Sequence, residues 1–534
     1  MPKGDLVRLT AIPLLASALL LGGAAAPAMA QQPAPEPSAV VRTDLGPVRG
    51  QSQSGYRIFQ GIPFAAPPTG DLRWRPPQPA RPWQGVYDAT APRDQCAQLP
   101  APYGGPTSYA EDCLYLNVTT PDSARRHRRG LPVMVWVHGG GNVTGAGSIY
   151  NAAKLAMDGD VVVVTVNYRL GPFGWLAYEG LENGADRRYQ AGNYGLLDQQ
   201  AALRWVQRNA RAFGGDPRNV TMFGESAGAQ DACANLASPT AAGLFQKVIA
   251  QSFTCVAPVR TEASAEDEGA TFAEAVGCAK GSSAADAACL RAVPVKTLLE
   301  VFEAKGLNVG PVAGGDRVLP LQPAEAIERG RFNRVPVMHG NTLDEWRLFV
   351  SLAYPNPITA AEYEDIVRSS YGAAADAILA RYPAADYPDP RIALATLQTD
   401  SNEILSACRH QDAFQQLKRA GVPVYAYQFA DRAAPPLFDL PGFEEGAEHA
   451  SELTYLFPGL LGDLNPEQTR LSDAMVGYWT SFAHNGKPAA RQAPHWPRFR
   501  SSDDVLSLAP GAGGIHRVDT TKTSNCSFWS DLGF

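Results

Sequence analysis

Short apolar runs alternate along the chain with glycine-rich turns and amphipathic stretches, and this alternation predicts the fold. Val133-Met134-Val135-Trp136-Val137 and Val161 to Val166 are β-branched-rich runs, the pattern of parallel strands covered on both faces. Leu203, Val206, Ala210 and Phe213 recur at spacings of 3, 4 and 3 and predict one apolar helix face. That face stops at the helix-ending pair Gly214-Gly215, and Asp216-Pro217 predicts a turn. Asn219 to Phe223 predicts the next strand, running directly into Gly224-Glu225-Ser226-Ala227-Gly228. Val335 to Met338 and Val422 to Phe429 predict two more. Strands alternating with helices predict an α/β protein with a large, mostly parallel central sheet and helices on both faces. Ligands of such sheets bind at the carboxyl ends of the strands, so the chemistry is sought there.

The first thirty residues break the pattern. Lys3 and Arg8 precede the apolar stretch Leu9 to Leu21, and Ala28-Met29-Ala30 is a small-x-small cleavage site. This layout predicts a signal peptide over 1–30, cleaved after Ala30, then an N-terminal tail over 31–44 and one domain over 45–534. The protein is therefore expected to be secreted or periplasmic. No later apolar run reaches spanning length, so no stable membrane insertion is expected after cleavage. The 534 residues are 45% hydrophobic and 19% charged, which is globular composition. The net charge of -7 argues against a nucleic-acid partner.

Eight cysteines with no C-x-x-C pair argue against a zinc ribbon. Export makes their even number meaningful. Cys96–Cys113 and Cys278–Cys289 would close short loops, and Cys408–Cys526 would tie the C-terminus to the body. About a hundred connectivities are open to eight cysteines. Cys233 and Cys255 read either as a fourth bridge or as two buried thiols.

Gly224-Glu225-Ser226-Ala227-Gly228 fits G-x-S-x-G, with a strand before it and an Ala-rich helical segment after it. A serine on such a corner projects its hydroxyl above the sheet. It needs a base, and the base needs an orienting carboxylate. Asp344 and Glu345 follow one predicted strand, and His449 follows the next. Ser226, an acid and His449 thus run in the order nucleophile, acid, base. His127, His410, His484, His495 and His516 read as surface or structural residues. His138-Gly139-Gly140-Gly141 directly follows Val137, and only glycines let successive amides approach a substrate so closely. The N–H groups of Gly140, Gly141 and Ala227 are the candidate oxyanion donors.

These residues together resemble the carboxylesterase type B family, which also contains the cholinesterases. The likeness extends over nearly the whole chain after the predicted signal. It includes Phe59-Gln60-Gly61-Ile62-Pro63-Phe64-Ala65, Glu111-Asp112-Cys113-Leu114-Tyr115-Leu116-Asn117, Asn167-Tyr168-Arg169-Leu170-Gly171, and Gly192-Asn193-Tyr194-Gly195 with Leu196-Leu197-Asp198-Gln199. The resemblance implies an α/β-hydrolase fold with inserted loops forming the pocket, and a serine-dependent ester hydrolase acting on a small-molecule ester without metal or other cofactor. It selects Glu345 over Asp344, supports His449, and implies the bridges Cys96–Cys113, Cys278–Cys289 and Cys408–Cys526. Glu225 resembles the family's carboxylate near the histidine, and reads equally as a buried glutamate that holds the turn together.

Three departures bear on substrate. Asn142 stands where the family usually places an apolar residue after the glycines, and Phe253 stands where it usually has glycine. No tryptophan lies between Cys96 and Cys113, only Tyr103 and Tyr109, so a choline-stacking site is not expected. Asn142 reads as a turn residue or as a polar contact beside the acyl group. The second reading favours polar or polycarboxylic acyl esters, such as mycotoxin esters of the fumonisin type. The rivals are a lipase and a non-catalytic binding or adhesion protein. Leu99, Pro100, Pro102 and Tyr103 make no amphipathic lid, and the nucleophile, acid, base and glycines are all present.

Overall fold

The apolar runs become the middle of one sheet in the computed structural model, which describes residues 39–101, 105–181, 192–280, 283–401 and 404–534. The predicted signal over 1–30 and the lid positions Pro102 and Tyr103 lie outside these residues. The first strands are β1 (Ala39–Thr43), β2 (Gly46–Gln53), β3 (Tyr56–Pro63), β4 (Tyr87–Asp88) and β5 (Tyr115–Pro121). Then come β6 (Leu131–Val137), β7 (Val162–Val166), β8 (Gly215–Glu225), β9 (Lys247–Gln251), β10 (Arg260–Thr261) and β11 (Val312–Ala313). The last are β12 (Val337–Thr342), β13 (Val424–Phe429), β14 (Val505–Leu508) and β15 (His516–Val518).

The main sheet runs β1-β2-β3-β5-β7-β6-β8-β9-β12-β13-β14-β15, with β4 beside β2. From β7 to β14 every neighbouring pair is parallel, and antiparallel strands flank this block. Side chains alternate across it, as the two-residue period of a strand requires. Val133, Val135 and Val137 pack with Leu203, Val206 and Leu236 on one face. Met134 and Trp136 pack with Met475, Trp479 and Phe482 on the other. Helices Tyr194–Asn209 and Ala227–Ala237 supply the first partners, and helix Pro466–Asn485 the second.

Several boundaries differ from the expectation; β13, for one, starts at Val424 rather than Val422. Ala39–Thr43, expected in the tail, is β1, paired residue for residue with β2. Asp216-Pro217 lies inside β8, where the register against β6 shifts between Leu131 and Val133. Proline has no N–H for a ladder and is accommodated at such an irregularity, while Asp216 Oδ1 accepts the Arg218 N–H at 3.1 Å as in a turn. β12 starts two residues late and runs on through His339, Gly340, Asn341 and Thr342, all in register with β13. These polar residues hide the strand from a hydropathy reading. Gly340 is required there, because a Cβ would lie 2.4 Å from the Tyr427 carbonyl oxygen.

All eight cysteines are paired, as Cys96–Cys113, Cys233–Cys255, Cys278–Cys289 and Cys408–Cys526. The fourth joins helix Ala407–Arg419 to the C-terminal helix Cys526–Asp531, whose Trp529 packs on Tyr382. No helix among the described residues is long and apolar enough to cross a membrane.

Candidate active site

β8 ends at Glu225, and the chain turns through Ser226 at φ 55° and ψ −124° into helix Ala227–Ala237. A non-glycine residue held there costs about 1–3 kcal/mol. The corner is secured by the Ser226 N–H donating to the Gln251 carbonyl at 2.9 Å, and by the Ser226 carbonyl accepting from Ala229 and Gln230. The flanking glycines have a steric reason. A Cβ on Gly228 would lie 2.1 Å from the Val137 oxygen, and one on Gly224 would lie 2.5 Å from the Gly228 carbonyl.

His449 sits in the loop after β13 and meets Glu345 Oε2 through Nδ1 at 2.6 Å. Glu345 is fully buried, and its Oε1 accepts the Thr342 N–H at 2.7 Å, which anchors it to the end of β12. Asp344 turns elsewhere, accepting two Arg432 N–H bonds at 2.8 and 2.9 Å. On the other side of the ring, Nε2 lies 3.1 Å from Glu225 Oε1 without hydrogen-bond alignment. Burial pulls the imidazole pKa down, but the Glu225 and Glu345 carboxylates outweigh it and hold it above the ordinary histidine value. Burial in turn holds the Glu225 carboxyl above the usual carboxylate range, with His449 acting against it.

Gly140, Gly141 and Asn142 take φ of 96°, 61° and 59° in succession. This run curls the loop so that the Gly140 carbonyl accepts from Val143 and Thr144. A Cβ on Gly140 would lie 2.3 Å from the Thr144 oxygen. Among the described residues no acceptor takes the N–H of Gly140, Gly141 or Ala227. Ala227 also opens a helix, where unpaired amides favour negative charge. Gln98 braces the loop, its Oε1 accepting from Thr144 Oγ1 at 2.6 Å and Gly145 N at 2.8 Å. His138 is buried, which lowers its pKa to about 4. It stacks on Tyr168, whose hydroxyl donates to the His138 carbonyl at 2.8 Å.

Ser226, Glu225, His449 and Gly139 to Gly141 line one cavity of about 340 Å³. Its remaining wall is largely apolar, with Leu348, Phe349, Leu437, Leu453, Leu460 and Leu461, and no lysine or arginine among the described residues that line it. Asn142 does not line this cavity. It is buried, and its amide points at Gln230 Oε1 (3.3 Å) and Asp231 Oδ1 (3.4 Å), under the corner. Phe253 likewise packs into the core beneath the sheet's carboxyl edge. Sequence reasoning missed a buried chain behind the histidine. Trp479 donates to Gln251, and Gln251 donates to Glu452, each at 3.0 Å. The signal available was Glu452 three residues after His449. Cys233, Cys255 and His339 lie close enough together to ligate a cation, but both sulfurs are bonded to each other.

A serine on a strained strand-to-helix corner, with an acid and a histidine at the ends of later parallel strands, is the arrangement of the α/β-hydrolase fold. The family model described as the carboxylesterase family matches residues 37–529, and the chain belongs to that family. It is 36% identical to a medium-chain fatty acyl-CoA hydrolase precursor of Anas platyrhynchos, over 97% of this chain and 96% of that protein. It is 34% identical to a fumonisin B1 esterase of Sphingopyxis macrogoltabida, over 96% and 94% of the two chains. A solved PNB esterase superposes with a TM-score of 0.75 at 33% identity, covering 92% of this chain and 99% of that one.

Proposed function

We propose that the protein is a secreted serine carboxylesterase that hydrolyses neutral carboxylic esters through an acyl-enzyme. His449 takes the Ser226 proton, the Ser226 oxygen attacks the ester carbonyl, and the oxyanion is received by the N–H groups of Gly140, Gly141 and Ala227. His449 then protonates the leaving alcohol and later activates a water, which releases the acid and frees Ser226. Glu345 orients the imidazole and stabilises its cation. The observation that carries this reading is the 2.6 Å His449–Glu345 contact beside a cavity shared with Ser226. Four disulfides are consistent with export.

The lining favours apolar acyl or alcohol groups over the polycarboxylic ones first considered. A polyanionic acyl group would meet Glu225 and no lysine or arginine among the described lining residues, and Asn142 faces away from it. The test is hydrolysis of p-nitrophenyl acetate, butyrate and palmitate by the wild type and Ser226→Ala. Short-chain activity that falls by about three powers of ten or more in the variant is expected. A variant as active as the wild type would remove Ser226 from the chemistry, and a preference for palmitate would point to a lipase.

A further inference from the structure

The candidate oxyanion donors stand on two separate pieces of chain. Gly140 and Gly141 belong to the loop after β6, and Ala227 opens the helix that follows Ser226. All three N–H groups reach one oxygen only while loop and helix keep a fixed spacing, and a misplacement of about 1 Å can cost about a hundredfold in rate. Among the described residues, the hydrogen bonds that join loop 139–145 to helix Ala227–Ala237 come from the Asn142 side chain. Its Nδ2 donates to Gln230 Oε1 at 3.3 Å and to Asp231 Oδ1 at 3.4 Å. Asn142 and Asp231 are both buried, so water does not compete for their contact. The acceptor is itself held. Asp231 Oδ2 accepts from Gln199 Nε2 at 2.5 Å, and Gln199 Oε1 accepts from Asn235 Nδ2 at 2.9 Å. Gln199 lies on the packed helix Tyr194–Asn209.

We propose that Asn142 is a positioning residue for the oxyanion site, tying the Gly140 and Gly141 amides to the helix behind the nucleophile, with Asp231 as its anchor; this deepens the esterase reading and rests on it. The backbone at 142 suits the task. Its φ of 59° lies in the left-handed region, which asparagine and aspartate enter more readily than other side-chain-bearing residues. Its carbonyl accepts the Gly171 N–H at 2.8 Å. Main chain and side chain are thus both fixed, one position after the second donor. Gln98 holds the far end of the loop at Thr144 and Gly145, so the donors lie between two braces. Burial pushes the Asp231 carboxyl up to about 8, and the Gln199 and Asn142 amides act against it. An apolar side chain at 142 would leave that carboxyl facing the loop without its donor, a buried polar group unpaired. Positions 142 and 231 are therefore coupled. Swapping amide and carboxyl between them keeps a donor facing an acceptor, and leaves an amide oxygen at 231 to accept from Gln199.

The test compares the wild type with Asn142→Gly, which keeps the left-handed backbone open, with Asn142→Asp, which sets two carboxyl groups face to face, and with the swap Asn142→Asp plus Asp231→Asn. kcat and KM are read with p-nitrophenyl butyrate. Affinity is read for an alkyl trifluoromethyl ketone and for its unfluorinated counterpart. Ser226 Oγ adds to the carbonyl carbon of the first, its proton passes to His449, and the resulting oxyanion faces the three amides. Each single variant is expected to lower kcat about tenfold or more with KM within about twofold, and to weaken the fluorinated ketone by a similar factor but not the plain one. The swap should recover most of the loss. Single variants within about twofold of the wild type overturn the proposal, as does an equal weakening of both ketones or a swap no better than Asn142→Asp. Where Asn142→Asp does not fold, Asn142→Gly carries the comparison. Amide hydrogen exchange of a peptide spanning 139–145 needs no turnover, and its protection should fall in the single variants and return in the swap. A wild type that hydrolyses no ester and forms no adduct defeats the esterase reading, while the exchange result still decides whether Asn142 ties loop to helix.

Discussion

The side chain at position 225 sets the proton balance around the nucleophile. Its carboxylate lies 3.1 Å from His449 Nε2, the nitrogen that accepts the serine proton in the proposed mechanism. An opposite charge at that range favours imidazolium by about one pKa unit or more. In the proposed mechanism the base form is the active one, so activity is expected to fall as pH drops through a value raised above that of a free histidine. Glu225→Gln removes the charge and keeps the shape. The acid limb of kcat/KM should move to lower pH by about one unit or more, measured with p-nitrophenyl butyrate. A limb that stays in place would show that His449 does not feel Glu225. At this scale Ser226 and the glycines around it were legible, because local backbone sterics dictate their spacing. The direction of Asn142 was not. A residue at φ 59° sends its side chain where the surrounding loop decides, and that loop turned the amide under the corner.

Elements were legible where burial is apolar and obscure where it is polar. The valine runs of β6 and β7 announce themselves, whereas β12 carries His339, Gly340, Asn341 and Thr342 through a fully buried strand. Only the ladder to β13 accounts for them. β1 was missed for a related reason, since five residues at an edge carry too short an alternation to stand out beside a polar tail. The C-terminal helix Cys526–Asp531 is too short to be stable alone, and the Cys408–Cys526 bridge fastens it across a sequence separation of 118. Closing so long a loop restricts the unfolded chain, an effect of about 2–4 kcal/mol. Cys408→Ser with Cys526→Ser should lower Tm by several degrees, with kcat/KM at room temperature largely retained. An unchanged Tm would assign the docking of this helix to Trp529 packing alone.

Across the whole molecule, charge and cavity agree. A chain of net charge -7 has a cavity whose described lining carries leucines, Phe349, His449 and Glu225 but no lysine or arginine, and the proposed preference for neutral esters follows from that. A p-nitrophenyl ester of butyric acid should exceed that of a polycarboxylic acid by about tenfold or more in kcat/KM, and the reverse order would require a lysine or arginine that reaches the cavity from outside its described lining. The class of fold was legible at this scale because the three reactive residue types appear in chain order, but the cavity was not, since its walls converge from loops distant in sequence. That dispersal has a consequence for biosynthesis. The hydroxyl at 226 is made early and the imidazole at 449 late, so a growing chain carries a nucleophile with no base beside it. Hydrolytic competence arrives only when the final portion has been translated and folded back. Until then, on the proposed mechanism, the chain is its own proenzyme, kept silent by the order of synthesis.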